Sequence, residues 1–387
     1  MCADTRDCSY IFFNNGFVEC KAEGYKLLPY TEMSGYIWKG QKIDKVFNSL
    51  TTTGQPPAGM FTSFLLNVCN QDKNRLHSLC TIIGYMLHSY YDYKLKAIVL
   101  TDSEISDTPN GRTGKTLVLQ ALKKVKPAAI INGKNFKTDH QFKYQDVNPD
   151  TSIVALNDVK RHFNVEDLFN DISDGITVEK KNQKPFTTQA KMIISTNMTL
   201  KIEGASANDR FIEFEFSNHY SDTRSPKDDF GKWFFSEWDD TEWNDFYNLM
   251  AYCICQFLKH SLVIPESINI QRRRLIDHTN DDFVTWMDEQ VSAGQIAPGN
   301  EYPKNELYSR FIDAYPDYGE KGKGQITQRA FTTFLKRYIN NSGNFAPFKK
   351  EDTRRSNGKD MILFRSVTDV SSYTDQPAKH EPVKLPF

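Results

Sequence analysis

The sequence predicts an α/β chain. A three-layer α/β core follows a β-rich and helical N-terminal region and precedes a small C-terminal domain of helices and a β-hairpin. Three observations carry that expectation. The runs 96-KAIVLT-101, 153-IVALNDV-159 and 191-KMIISTN-197 are apolar segments of strand length, the pattern of parallel strands buried on both faces. Between the first two lies 109-PNGRTGKTLVLQAL-122, so strand, glycine-containing loop and apolar helix follow one another as in a phosphate-binding unit. Beyond residue 300 the order becomes helix, glycine-rich turn, helix and two strands, that of a winged helix.

Taken in order, residues 1–60 are expected to be β-rich, with 9-SYIFFNNGFVEC-20 alternating around an Asn-Asn-Gly hairpin turn and β structure continuing to residue 50. Residues 61–95 read as helical, because Phe61, Phe64, Leu65, Val68, Leu76, Leu79, Ile83 and Met86 are spaced for buried faces. The core spans 96–262 and closes with the helix WNDFYNLMAYCICQFLKH. Residues 263–281, with Pro265 and Arg272-Arg273-Arg274, read as a linker. The C-terminal domain covers 282–367: a helix over 303–315, a turn at Gly319, Gly322 and Gly324, a helix starting at Thr327, and strands near 345–349 and 361–365. The polar tail 368–387 is expected to be disordered.

With 387 residues the chain has room for two or three domains. Apolar content of 39% and aromatic content of 13% are ordinary for a soluble globular protein. A formal net charge of −1 means that any nucleic-acid binding must come from local patches. No apolar run reaches the roughly 18 residues a membrane helix needs, and the N-terminus MCADTRDCSY lacks a signal core, so an intracellular protein without membrane partners is expected. Seven scattered cysteines without a CxxC pair disfavour zinc and predict free, buried thiols.

The chemistry lies in the loop and the strand ends. A phosphate loop needs inward backbone N–H groups, a lysine for the β/γ charge and a hydroxyl for Mg²⁺. Gly111 and Gly114 give the loop its freedom, Lys115 is the charge, Thr116 the metal hydroxyl, and Asn110, Gly111, Arg112, Thr113, Gly114, Lys115 and Thr116 form the nucleotide-binding set. Pro109 stands where the eight-position motif has its first glycine; it removes one N–H at the entrance, whereas the phosphate donors come from the later positions. Asp158, at the end of its strand, is placed to hold Mg²⁺. Asn197, ending the next strand, is placed to orient an attacking water, and Arg210 can supply charge to a neighbouring subunit's phosphate.

This set resembles the superfamily 3 helicases, an AAA+ branch found in viruses and in phage and plasmid primase-helicases. Their motifs are compact, as Gly111 to Asn197 are here, and the likeness spans residues 95–365. The segment 156-LNDVK-160 looks like the second motif of polyomavirus large tumour antigens, and 178-VEKKNQK-184 like their DNA-contacting hairpin. The resemblance implies an AAA+ P-loop core, a ring (typically a hexamer) and ATP bound with Mg²⁺ between subunits. Lys115, Thr116, Asp158 and Asn197 would act from one subunit and Arg210 from the next. The hairpin 176-ITVEKKNQKPFTT-188 would face the channel and single-stranded DNA with Lys181 and Asn182 at its tip, flanked by Lys180 and Lys184. Six such hairpins would give an additive, salt-dependent, sequence-blind attraction.

Two departures stand out. The family usually has an acid before the metal-binding Asp, and this chain has Asn157. No clustered acids and histidines for primer synthesis precede residue 95, so a primase would be a separate partner. By winged-helix logic the helix from Thr327 would meet duplex DNA through Arg329, Lys336 and Arg337, and the wing through Lys349, Lys350, Arg354 and Arg355. Residues 303–366 hold 13 basic and 7 acidic side chains, a local net charge of +6. The expected function is an ATP-dependent DNA helicase of phage or plasmid replication. The alternative is an origin-binding or assembly protein that hydrolyses ATP poorly.

Overall fold

The computed structural model describes residues 2–50, 54–91, 95–104, 111–160, 163–202, 204–320 and 324–367. The chain divides into two compact units, Met1–Asn269 and Ile270–Phe387.

The first unit opens with an antiparallel meander of β1 (Ser9–Phe13), β2 (Gly16–Lys21) and β3 (Gly24–Leu28), its first turn falling at Asn14-Asn15 as expected. Strand structure was expected to reach residue 50, but it stops at Leu28. Pro29 leads into short 3-10 turns over Tyr30–Glu32 and Lys39–Gln41, and the isolated Phe12–Lys42 bridge returns to the sheet. Helices α1 (Met60–Val68) and α2 (Lys73–Leu87) follow, the latter capped by the Asp72 carboxylate, which accepts from the N–H groups of Asn74 and Arg75.

The central sheet is mixed with helices in the chain order β4 (Ala97–Asp102), α3 (Lys115–Lys123), β5 (Ala128–Asn132), β6 (Ile153–Asn157), α4 (Phe169–Ser173), β7 (Ile176–Val178), β8 (Phe186–Thr188), β9 (Lys191–Ser195), α5 (Ala205–Arg210) and β10 (Phe211–Phe216). Five of the strands form one parallel sheet in the order β10-β4-β9-β6-β5. The chain leaves β4 for the far edge at β5, returns through β6 and β9, and then crosses to β10 on the other side of β4. The end of β4 is therefore a topological switch point, where ligands of open α/β sheets bind. Strands β7 and β8 form a separate antiparallel hairpin.

Alternate residues of the parallel strands feed two different cores, which makes the architecture three-layered. Ile98, Leu100, Ile153, Ala155 and Ile193 join α1, α2 and α3 on one face, whereas Ala97, Val99, Val154, Leu156 and Ile194 pack with Leu168, Ile172, Ile176 and Val178 on the other. After α6 (Pro226–Phe230), the unit closes with α7 (Asp240–His260), whose start carries a capping box between Asp239 and Glu242. All seven cysteines are free and six are buried. No helix among the described residues is long and apolar enough to cross a membrane.

The second unit contains α8 (Ile270–His278), α9 (Asp281–Ser292), β11 (Asn300–Pro303), α10 (Lys304–Ala314), α11 (Gln328–Asn341), β12 (Thr353–Ser356) and β13 (Lys359–Phe364). The strands form an antiparallel sheet in the order β11-β13-β12 around a core that includes Phe283, Trp286, Phe311, Phe331, Leu335 and Ile362. Two expectations change. The stretch 263–281 is not linker throughout, because Ile270–His278 is a helix in which Ile270, Arg273 and Leu275 are buried. The first hairpin strand lies at Thr353–Ser356 and not at 345–349, where Pro347 lacks an N–H and Ala346 makes a single backbone bond to Arg365. The turn is Asn357-Gly358, both with positive φ (49° and 75°), a primed hairpin turn that sets the register Ser356–Lys359. The tail 368–387 lies outside the described residues.

Helices α2 and α7 approach each other closely at Gly84. A Cβ at Gly84 would overlap the Cys253 carbonyl oxygen and stand 2.8 Å from Cβ of Phe257. Gly84→Ala is therefore expected to lower stability by about 1–3 kcal/mol, the usual cost of overpacking, despite alanine's better helix propensity. Chemical denaturation measures it, and unchanged or higher stability would show that the two helices part freely.

Candidate functional site

The loop after β4 takes its shape from backbone conformations that few residues adopt. Gly111, Arg112 and Gly114 all have positive φ (63°, 61° and 102°), which curls the chain tightly before the helix. Gly114 is required twice over, because a Cβ there would also stand 2.7 Å from Cζ of Phe64 on α1. Gly114 is the N-cap of α3 and supplies no side-chain cap, so the first N–H groups of that helix open towards the loop.

Lys115 begins α3 with its side chain buried. Its ammonium donates to the Asp102 carboxylate and, at 3.0 Å, to Thr113 Oγ1, while Thr113 donates to the same Asp102 oxygen at 2.5 Å. One residue on, Thr116 Oγ1 donates to Asn157 Oδ1 at 3.2 Å. Asn157 Oδ1 also accepts from Ser195 Oγ at 2.8 Å, and Ser195 Oγ accepts the backbone N–H of Asp158 at 2.9 Å. Asp158 sits just past the end of β6 with a positive φ of 63°, and its carboxylate meets Lys134 Nζ at 2.7 Å. That carboxylate raises the pKa of the exposed Lys134.

One cavity of about 340 Å³ is lined by Arg112 to Leu117, Asn157, Asp158, Ser195, Asn197 and Pro226. Its size lies within the range of small-ligand sites. Asn197 borders the loop, since a Cβ on Gly111 would lie 3.2 Å from Asn197 Nδ2. The fold thus gathers Gly111, Arg112, Thr113, Gly114, Lys115, Thr116, Asp158 and Asn197 at one edge of the sheet. Asn110 and Pro109 lie outside the described residues. The Thr116 hydroxyl and the Asp158 carboxylate are hard oxygen donors on the same cavity, a donor set suited to Mg²⁺. No cluster of three or more His, Cys, Asp or Glu occurs among the described residues.

Sequence reasoning did not single out Asp102, Ser195 or Pro226. Asp102 follows an apolar strand as Asp158 does, and that shared position was the available signal. Arg210 does not line the cavity. Its Nε donates to Ser173 Oγ at 3.1 Å, its Nη1 to the Ser206 carbonyl at 3.0 Å, and its guanidinium lies 4.9 Å from the Phe169 ring.

The basic residues expected to meet DNA are of two kinds. On the β7–β8 hairpin, buried Ile176 and Val178 anchor the base, while Lys181, Asn182 and Lys184 are exposed at the tip and Lys180 donates to Asn148 Oδ1 at 2.7 Å. In the second unit Arg329, Lys349, Lys350, Arg354 and Arg355 are exposed. Lys336 lies over Phe348, Arg337 donates to the His278 carbonyl, and Arg354 pairs with Glu301, so these three also hold the fold together.

No family model matches the chain, and no curated protein matches it. Among solved structures, the apo C-terminal region of NrS-1 aligns with a TM-score of 0.41 and 13% identity over 93% of this chain and 97% of that one. Its A form gives 0.39 and 13% over 92% and 96%. A JCV helicase with a thiazolopyridine compound bound gives 0.29 and 14% over 60% and 66%. Likeness this low carries no argument, so the reading of the site rests on its own geometry.

Ser195 ties two strand ends together through one hydroxyl. Ser195→Ala leaves the Asp158 N–H without that acceptor and removes a donor from Asn157, and it is expected to cost about 1–2 kcal/mol of stability. Urea denaturation tests this, and a change below roughly 0.3 kcal/mol would mean that the hydroxyl does not fix Asp158.

Proposed function

We propose that the chain is an ATP-dependent DNA helicase motor built on an AAA+ core of the superfamily 3 type. The observation that carries this reading is the convergence of Lys115, Thr116, Asp158 and Asn197 on one cavity beside a positive-φ loop and the N-terminus of α3. Nucleotide phosphates would be held by the loop N–H groups and by Lys115, and Mg²⁺ by Thr116 and Asp158. The metal supplies charge compensation for the phosphates. Asn197, an uncharged hydrogen-bonding side chain at the end of the neighbouring strand, is placed to orient water.

Two further features turn a nucleotide site towards a DNA motor. The β7–β8 hairpin presents Lys181, Asn182 and Lys184 to solvent from a base set in the core. The second unit runs helix, strand, helix, helix, strand, strand from α9 to β13, an order that supports a winged helix with α11 as its recognition helix. Arg210 lies outside the cavity of its own subunit, so any action on phosphate would be on a neighbour's, which supports a ring, by analogy a hexamer. The motor would travel on single-stranded DNA and work with a separate primase in phage or plasmid replication.

One observation favours a second reading. Asn157 stands beside Asp158, and its amide oxygen already accepts from Thr116 and Ser195, so no carboxylate occupies that position to polarise a water. A protein so built would use ATP to assemble on an origin and hydrolyse it slowly.

ATPase and nucleotide-binding assays on the full chain test the motor. Lys115→Ala should lose both binding and turnover, whereas Arg210→Ala should bind nucleotide normally and lose turnover by about 10³-fold, the scale of a trans arginine. Normal turnover in Lys115→Ala would overturn the site assignment, and normal turnover in Arg210→Ala would remove the trans role. Asn157→Asp separates the two readings. A large gain in hydrolysis over a wild type without unwinding activity supports the assembly protein, and an unwinding wild type supports the motor.

A further inference from the structure

The last residue of β4, Asp102, is an anion paired with Lys115, and Lys115 lines the cavity that the nucleotide reading gives to anions. Its carboxylate accepts from Lys115 Nζ and from Thr113 Oγ1, and the lysine also donates to Thr113, which closes a three-way polar cluster. The side chains of Lys115 and Asp102 are 7% and 9% exposed, so little water screens their charges. Lys115 is the cation that phosphates would have to share.

Two effects of Asp102 oppose each other. It compensates a buried ammonium and so helps to keep Lys115 in place. It also already engages the lysine that an incoming polyphosphate, of like charge to the carboxylate, would need. The first effect is backed up by other constraints, since Lys115 is the opening residue of α3, follows a positive-φ glycine and donates to Thr113. The competition is intrinsic to the pair, because Asp102 holds the same ammonium that phosphate would take. Resting on the nucleotide reading above, we propose that Asp102 is an internal competitor for Lys115 that sets the nucleotide affinity of the site. Phosphates bind by taking the lysine over from a carboxylate the fold already provides. Affinity is thereby held down, and an emptied site re-forms an ion pair instead of leaving a buried ammonium uncompensated.

Calorimetric titration of the full chain with Mg-ATP, and separately with inorganic tripolyphosphate, tests this on wild type, Asp102→Asn, Asp102→Glu and Lys115→Ala. Asp102→Asn keeps an acceptor but drops the charge, and is expected to bind both probes at least about tenfold tighter, or about 1.4 kcal/mol. Asp102→Glu keeps the charge and should stay near wild type, and Lys115→Ala should lose binding. Should asparagine prevent folding, Asp102→Ser is a smaller neutral substitute with the same expected sign. Equal or weaker binding by the folded neutral variant overturns the competitor role while leaving the nucleotide site intact. An absence of binding by every protein, wild type included, overturns the nucleotide reading and this inference with it.

Discussion

The parallel register of β4, β9 and β6 positions the polar groups that the strand ends bring to the cavity. Leu100 pairs with Ser195, and Leu156 with Ile194, so Asp102, Asn157 and Ser195 emerge together at one edge of the sheet. Backbone bonds extend the ladder past the strand ends, from Thr196 N–H to the Leu100 carbonyl and from Val159 N–H to the Ser195 carbonyl, both at 3.0 Å. What enforces the register is burial on both faces. Slipping β4 by one residue would exchange Ile98 and Leu100 with Ala97 and Val99 between two cores of different shape. The chemistry of the site therefore inherits its precision from apolar side chains that never touch it.

Within that frame Asn157 is the junction of the polar network. Its side chain receives Thr116 from the helix and Ser195 from the adjacent strand, and its carbonyl receives the Gly133 N–H at 2.6 Å. An amide oxygen accepts hydrogen bonds as a carboxylate does but cannot take a proton in the accessible pH range, so it can order the site without serving as a base. An aspartate at this position would add a negative charge beside Asp158 on the cavity that Lys115 also lines. The sequence change from acid to amide thus keeps the geometry and alters the electrostatics. That is why the choice between motor and assembly protein turns on this one residue.

Much of this was legible in the sequence, and the limits have physical causes. Strands β4, β6 and β9 announce themselves because strands buried on both faces must be apolar throughout; Asp158 and Asn197 follow from where β6 and β9 end, and Lys115 and Thr116 from the glycine-containing loop motif. The alternating Glu residues of β10 and the short 128-AAIIN-132 of β5 give weaker signals because both are edge strands. In the second unit, Phe345 and Ala346 are buried without joining a strand, so their apolar character misled, while the Asn357-Gly358 turn held the correct hairpin signal. The partners of Asp102 and Ser195 could not be read off. Lys115 meets Asp102 across a separation of 13 residues in the sequence, and Ser195 meets Asn157 only through a strand pairing 38 residues apart.

A motor also requires that nucleotide contacts move DNA contacts, and the packing around Arg210 offers a route for this. Arg210 ends α5, lies over Phe169 and donates to Ser173, the first and last residues of α4. Three residues after Ser173 the hairpin begins at Ile176, and α4 and β7 contribute Ile172, Ile176 and Val178 to the same core. A displacement of the Arg210 guanidinium would therefore act on a short helix that shares a rigid apolar base with the lysine-bearing tip. Packed interiors transmit such displacements because they have little free volume in which to absorb them. On the motor reading, the arginine that senses a neighbour's phosphate and the lysines that hold DNA belong to one packed block. On that reading the contacts that hold Arg210 in place would also be the means by which it pulls.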